Sequence, residues 1–274
     1  MNHSPLLSII IPTYKEAGNI KNLVEEILEY CDRDSLEILV VDDNSQDGID
    51  EQIRLLYEQG INITLLQRLE NRGLATAVKF GMDRAIGKYL VCMDADLSHP
   101  PAVIPKMIQV LEDQRDVEVV VGSRYVDEGG FAGQWNQYRQ WNSKISTMLA
   151  NLVIHDLGVK DPMSGYFCIR QEVYLRAIYI KPIGYKILLE LLVKCGCSRV
   201  VEVPITFRER AKGESKLNLR EQMNYLNHLS RLFDFSHPQW SAALKYLIVN
   251  VLGVSLMLLL WLILPDPEGV IVPV

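Results

Sequence analysis

Asp94 and Asp96 stand one residue apart at the end of an apolar run, "LVCMDADLSHPP" (residues 90–101). Two negative charges so close repel each other, and that cost points to a cationic partner. Hard oxygen donors suit Mg²⁺ or Mn²⁺, ions that keep several waters and accept one or two carboxylates together with substrate phosphates. Asp94 and Asp96 are therefore the expected metal ligands. Two more polar loops follow apolar runs, "IPTYKEAGN" (11–19) and "VDDNSQDG" (41–48), and they bring Glu16, Asp43 and Asp47. A carboxylate there is a poor structural choice unless water, a helix cap or a cation compensates. Asp47 suits a cap on the following helix and Asn44-Ser45 a turn, whereas Asp43 is read as functional. His99, in a loop before Pro100, suits a structural hydrogen bond at least as well as a metal.

The elements that must position these residues alternate. Strand-like runs occur at 6–11, 36–41, 61–66, 88–96 and 117–125. Between them lie segments of helical spacing, such as Ile20, Leu23, Val24, Ile27 and Leu28, then 49–60 and 73–87. This alternation implies βαβ units and a mostly parallel sheet covered on both faces. Ligands of such sheets bind beyond the carboxyl ends of the strands, where the three polar loops fall.

With 274 residues, 49% of them hydrophobic, the chain can bury a large core and is not disordered. A net charge of -6 excludes wholesale nucleic-acid binding, which needs clustered Lys and Arg. The five cysteines lack paired zinc-ribbon spacing, and Cys195-Gly-Cys197 reads as ordinary packing; reduced thiols in a cytosol-facing protein are expected. "MNHSPLLSIIIP" is too short and too poorly flanked for a signal sequence and reads as a buried strand. Near the other end, the uncharged stretch 246–264 would span about 28 Å as a helix, close to a bilayer core of about 30 Å. It is read as a membrane span, the alternative being a packed or partner-docking helix. Arg220, Arg231 and Lys245 precede it and Asp266 and Glu268 follow, which leaves the large domain on the cytoplasmic side. The expected division is a catalytic domain over 1–217, an amphipathic linker over 218–240 and a membrane anchor over 241–274.

Four further stretches sharpen the reading: "DADLSHPP", "GSRY", "DPMSGYF" and "FRERAKGESKL". In this order, over roughly 6–220, the chain resembles the dolichyl-phosphate mannosyltransferases and their bacterial polyprenyl-phosphate relatives, inverting GT-A glycosyltransferases that use nucleotide sugars. The resemblance implies that Pro12, Tyr14 and Glu16 contact the nucleotide, that Asp43 holds the base, and that Asp94 and Asp96 bind the metal on the donor diphosphate. It implies that Arg124, Arg139 and Ser143 meet the acceptor phosphate. Arg210 and Lys216 belong, by the same likeness, to a loop that clamps phosphates, and Glu190 faces the sugar. Ser98 stands where some relatives carry a metal-binding Gln. Asp96, Arg124 and Arg210 are the expected catalytic residues.

Chemistry read from the residues agrees with these roles. A departing diphosphate needs charge stabilisation, which a metal ion and Arg or Lys supply, and the guanidinium fork binds phosphate bidentately. A lipid monophosphate acceptor is already anionic, so no strong base is required, and direct displacement with inversion is expected. GDP-mannose is the first-choice donor, with UDP-glucose or another UDP-sugar as alternative. The helix expected over 218–240 places Leu219, Met223, Leu226, Leu229 and Leu232 at roughly helical spacing, suited to a lipid interface or to packing on the domain. The sequence stops after a single hydrophobic stretch, which is read either as one anchor, with a small membrane protein partner, or as a chain cut short of further spans. A polysaccharide synthase would carry Q-x-x-R-W, which "QYRQW" (137–141) does not match, and a non-catalytic nucleotide-sugar sensor is disfavoured by the acceptor-side residues.

Overall fold

The computed structural model describes residues 5–132, 146–151, 153, 158–208 and 219–263, with backbone alone at 219–221, 256 and 258–263. The chain divides into two compact units, residues 1–229 and 230–274.

In the first unit, apolar runs form five strands, all but the third buried along their whole length. They are β1 (Leu7–Thr13), β2 (Leu36–Asp42), β3 (Ile63–Gln67), β4 (Tyr89–Cys92) and β5 (Val119–Ser123). Four strands complete the set: β6 (Gly130–Phe131), β7 (Phe167–Arg170), β8 (Val200–Pro204) and β9 (Thr206–Phe207). The main sheet has seven strands in the order β3-β2-β1-β4-β7-β5-β8, and β6 pairs with β9 in a small separate ribbon. Its pairs are parallel except those made by β7, which runs antiparallel to β4 and β5. The expected mostly parallel sheet is therefore present.

Side chains of β1 alternate between two helical layers, as the period of two in a strand requires. Ile9 and Ile11 join the core formed with Ile20, Leu23, Val24 and Ile27 of α1 (Ala17–Tyr30) and with Ile53 and Leu56 of α2 (Ile49–Glu58). Ile10 points the other way, to α3 (Leu74–Met82), where a Cβ added at Gly81 would come within 2.6 Å of its side chain. That glycine is a close-approach position, and α3 packs on β1 and β2 because nothing larger stands there. On the other flank α4 (Ile104–Asp113) packs on β5 and β7, and the Arg170 side chain donates to the carbonyls of Leu111 in its last turn and of Gln114 and Val117 just beyond it. The short α5 (Gln171–Tyr174) and α6 (Ile187–Lys194) follow.

The helix α7 (Leu219–Ser236) enters from the first unit, burying Tyr225, His228 and Leu229 and exposing Met223 and Leu226. Pro238 opens α8 (Pro238–Ile263), a position where its missing N–H costs nothing. Within the second unit Asp234 accepts from Ser241 Oγ and, at 2.7 Å, from Lys245 Nζ. Among the described residues no helix is long and apolar enough to cross a membrane. Much of the span expected over 246–264 lies outside the described side chains.

Candidate active site at the carboxyl edge of the sheet

Strand order reverses between β1 and β4: β2 and β3 lie on one side and β7, β5 and β8 on the other. The carboxyl ends of β1, β2 and β4 meet there, at the switch point where open α/β sheets take ligands. Asp42, fully buried, ties two of the loops together. It accepts from Thr13 Oγ1 at 3.2 Å, from Ser45 N at 2.9 Å and from Ser45 Oγ, while Lys15 N donates to Ser45 Oγ at 2.8 Å. Asp47 is a helix cap, but on α1 rather than on the helix that follows it: it accepts from Ala17 N at 3.0 Å. That bond satisfies an orphan amide at the start of α1 and braces the Tyr14–Glu16 loop. Lys15, Asn44 and Gln46 all hold positive φ, so both loops are tightly turned.

The hydrogen-bonded part of β4 ends at Cys92, earlier than the expected 96. Met93 N still donates to Ile10 O, but Asp94 N donates to His99 Nδ1 at 3.0 Å and leaves the ladder. Leu97, with φ of 65, then takes the left-handed conformation, uncommon for a bulky residue. This turns Ser98 back, so that its N at 3.1 Å and its Oγ both donate to Asp96 Oδ1. The Nδ1 lone pair of His99 is engaged by the Asp94 amide. Its ring stacks on Tyr166 with centroids 4.9 Å apart, and His99 thus has the structural hydrogen bond.

Asp94 and Asp96 line one cavity of about 210 Å³ together with Pro12, Thr13, Tyr14, Glu16 and Asp43, while Leu74 and Ala77 of α3 supply an apolar wall. Every donor-side residue expected from the sequence that lies among the described residues is thus brought together. Among the described residues no group of three or more His, Cys, Asp or Glu forms a closed metal cage. Two carboxylates on one cavity fit an ion whose remaining positions are filled by water and substrate phosphate, as Mg²⁺ and Mn²⁺ prefer.

Asp43 is also half of a buried ion pair. Arg68 Nε donates to its Oδ1 at 2.8 Å, Arg68 Nη2 donates to the same oxygen, and Gly73 N donates to Oδ2 at 2.7 Å. Arg124 makes a bidentate pair with Asp161, Nε to Oδ2 at 2.7 Å and Nη2 to Oδ1 at 2.8 Å. Burial works to lower the Arg124 pKa, but the hydrogen bonds and charge of Asp161, helped by Tyr125 and Asp94, raise it above its ordinary value. Glu190 is buried, is not among the cavity-lining residues, and has protein partners on both oxygens: Lys181 N at 3.0 Å and His228 Nε2 of α7 at 2.6 Å. Arg139, Ser143, Arg210 and Lys216 lie outside the described residues.

Residues 8–176 match the model of glycosyl transferase family 2. Over 249 residues the chain is 39% identical to a dolichol-phosphate mannosyltransferase of Pyrococcus furiosus, covering 90% of this chain and 69% of that protein. The chain belongs to glycosyl transferase family 2, among the dolichol-phosphate mannosyltransferases. It is a glycosyltransferase. A Saccharomyces cerevisiae protein of the same name is 40% identical over 240 residues, with 83% of this chain and 87% of that protein covered. A mannosyltransferase from Pyrobaculum calidifontis solved with GDP-Man and Mn²⁺ superposes with a TM-score of 0.58 at 21% identity, over 84% of this chain and 64% of the other, and shares the GT-A-like fold.

Two site residues of this glycosyltransferase escaped sequence reasoning. Arg68 follows β3 at the edge that carries the three polar loops, and a cation placed there was the available signal. Asp161 opens "DPMSGYF", a stretch that carries the family likeness, but nothing in the spacing pairs it with Arg124, 37 positions earlier.

Proposed function

We propose that this glycosyltransferase moves mannose from GDP-mannose to the phosphate of dolichol or a related polyprenol, with inversion at the anomeric carbon. The observation that carries the reading is the single cavity shared by Asp94, Asp96 and Asp43, approached by the Asp161–Gly165 segment whose Asp161 pairs with Arg124. Asp94 and Asp96 would hold a divalent ion, Mg²⁺ or Mn²⁺, which when bound offsets charge on the departing diphosphate. Pro12, Tyr14, Glu16 and Asp43 bind the nucleoside end. Arg124, with Arg139 and Ser143, orients the acceptor phosphate, and Arg210 and Lys216 close on the phosphates. An acceptor oxygen that is already anionic forms the new bond to the anomeric carbon as the bond to GDP breaks, and GDP leaves with the electron pair. No protein base has to remove a proton, consistent with a site rich in phosphate-binding groups and metal-ligating carboxylates.

The uncharged stretch 246–264 is proposed as a membrane anchor, with 218–240 at the lipid surface, the catalytic unit on the cytoplasmic side and a small membrane protein as a further partner. Charge asymmetry around the stretch supports this orientation.

The test is transfer of radiolabelled mannose from GDP-mannose to dolichyl phosphate by the reconstituted full chain with Mn²⁺, beside UDP-glucose as competing donor. Asp96→Ala is expected to lower transfer by about 10²–10³-fold. Glucose transfer without mannose transfer overturns the donor assignment, and a product with retained anomeric configuration overturns the displacement.

A further inference from the structure

Arg124 sits in a rigid setting. Asp161, fully buried, takes the guanidinium fork with both oxygens and also accepts from Arg124 N at 3.2 Å. Behind it, Glu202 on the edge strand β8 accepts from two consecutive amides, Lys160 N through Oε2 and Asp161 N through Oε1, each at 2.8 Å. Glu202 is opposite Val121 of β5, and β5 ends at Ser123, immediately before Arg124. The sheet register thus fixes both ends of the pair. Ser164 Oγ adds a bond to Gly122 O at 2.8 Å, and a Cβ at Gly165 would lie 3.5 Å from Asp94 Oδ1. The segment that carries Asp161 therefore runs from the arginine to the acidic pair. Phe131 of β6 and Phe207 of β9 add aromatic walls, with ring centroids 5.7 and 5.5 Å from the guanidinium carbon, within cation–π range.

We propose that Asp161, braced by Glu202, is a positioning residue for sugar transfer: it holds Arg124 in the one orientation that meets the acceptor phosphate. This rests on the acceptor-side reading of Arg124 given above. The fork uses Nε and Nη2, which fixes the guanidinium plane, and with the arginine charge matched by Asp161 the phosphate is met by oriented donors instead of a mobile point charge. A misplacement of about 1 Å at such a group costs about 10²-fold in rate.

The full chain is compared as wild type, Asp161→Asn, Glu202→Gln, Arg124→Gln and the Asp161→Asn/Arg124→Gln double variant. Mannose transfer is measured against dolichyl phosphate concentration, and GDP-mannose affinity separately by calorimetry with Mn²⁺. Asp161→Asn is expected to lower kcat/KM for dolichyl phosphate by about 10–100-fold and to leave GDP-mannose affinity within about twofold of wild type. Glu202→Gln should act in the same direction and less strongly, since its amide oxygen still serves one of the two N–H groups. In the Arg124→Gln background, Asp161→Asn should add less than about twofold, because residues acting through one contact are not additive. Losses that multiply in the double variant, or a fall in donor affinity equal to the fall on the acceptor side, overturn the proposal. So does an unchanged kcat/KM. Should Asp161→Asn fail to fold, Glu202→Gln alone and in the Arg124→Gln background decides by the same criteria. A wild type that transfers nothing to dolichyl phosphate overturns the proposed function as well, whereas an active wild type with additive variants overturns only this inference.

Discussion

Replacing Arg68 by Met tests how the donor cavity is built. The side chain is 5% exposed, and its guanidinium carries two of the three hydrogen bonds found on the Asp43 carboxylate, the third coming from Gly73 N. Arg68 also donates to Asn71 O, Thr76 Oγ1 and Gly73 O, each at 3.1 Å. Those acceptors lie along the turn at the start of α3, where water can replace a lost donor, so the dominant cost is the carboxylate left buried without its cation. Breaking such a pair from one side costs about 3–5 kcal/mol. In a domain of this size, about 2–4 °C per kcal/mol gives a fall in melting temperature of roughly 6–20 °C. Removing both charges in Arg68→Met/Asp43→Leu should recover most of the loss and leave about 1–3 kcal/mol for the Gly73 amide that has lost its acceptor. Thermal unfolding followed by circular dichroism reads all three proteins, and GDP-mannose affinity should fall in the single variant because Asp43 lines the cavity. A single variant melting within about 2 °C of wild type, or a double variant as unstable as the single one, would show that the pair does not organise this edge.

Other perturbations separate the remaining parts. Ser98→Ala removes the hydroxyl that fixes Asp96 Oδ1 but leaves the Ser98 amide bond in place; Mn²⁺ affinity, titrated by electron paramagnetic resonance in the presence of GDP, should fall about tenfold. Glu190→Gln probes pH dependence. Burial pushes the Glu190 pKa up, yet the His228 hydrogen bond, the Lys181 amide and nearby positive charge outweigh it and hold the group below its ordinary value. A lowered folded value means that the charged form stabilises the fold above the unfolded value, and that this contribution is lost as pH falls through the lowered one. The melting difference between wild type and Glu190→Gln should therefore be full at neutral pH and shrink below about pH 4, and a difference independent of pH counts against the pair. His228→Leu, which strands Glu190 without its imidazole partner, should cost about 3–5 kcal/mol at neutral pH, read by the same melts.

Much of the first half of the sheet is legible because its strands, apart from the partly exposed edge strand β3, are buried on both faces and read as unbroken apolar runs. β1 through β5 are found this way, although expected ends overrun: β4 stops at Cys92 because Asp94 N bonds to His99, and α3 stops at Met82 instead of reaching 87. β7 and β8 were not expected, and both the antiparallel insertion of β7 between β4 and β5 and the pairing of β8 with β5 join segments distant in sequence. The site divides along the same line. Asp94 and Asp96 stand out because a carboxylate pair at the end of a buried strand has no structural reason to be there. Arg68 and Asp161 do not, because Asp43 and Arg124 reach them across 25 and 37 positions that only the folded loops bring together.

Those two hidden partners change what the cavity asks of its ligand. Had Arg68 and Arg124 been unpaired, they would offset the acidic pair directly, and a dianionic diphosphate would be drawn in by fixed cations. Instead Arg68 is matched by Asp43 and Arg124 by Asp161, so neither pair brings net positive charge to the site. A phosphate oxygen about 4 Å from a carboxylate is opposed by about 4 kcal/mol at an effective dielectric of about 20. Under the proposed function, Asp94 and Asp96 would make diphosphate binding call for a cation that arrives with the nucleotide, beside the contacts proposed for Arg210 and Lys216. Fixed ammonium groups in their place would grip GDP-mannose and free GDP alike, and binding that is equal before and after transfer does not speed the step between them. On that proposal the paired arginines and the carboxylates divide the work: the first set geometry without adding charge, and the second admit charge only in company with an ion.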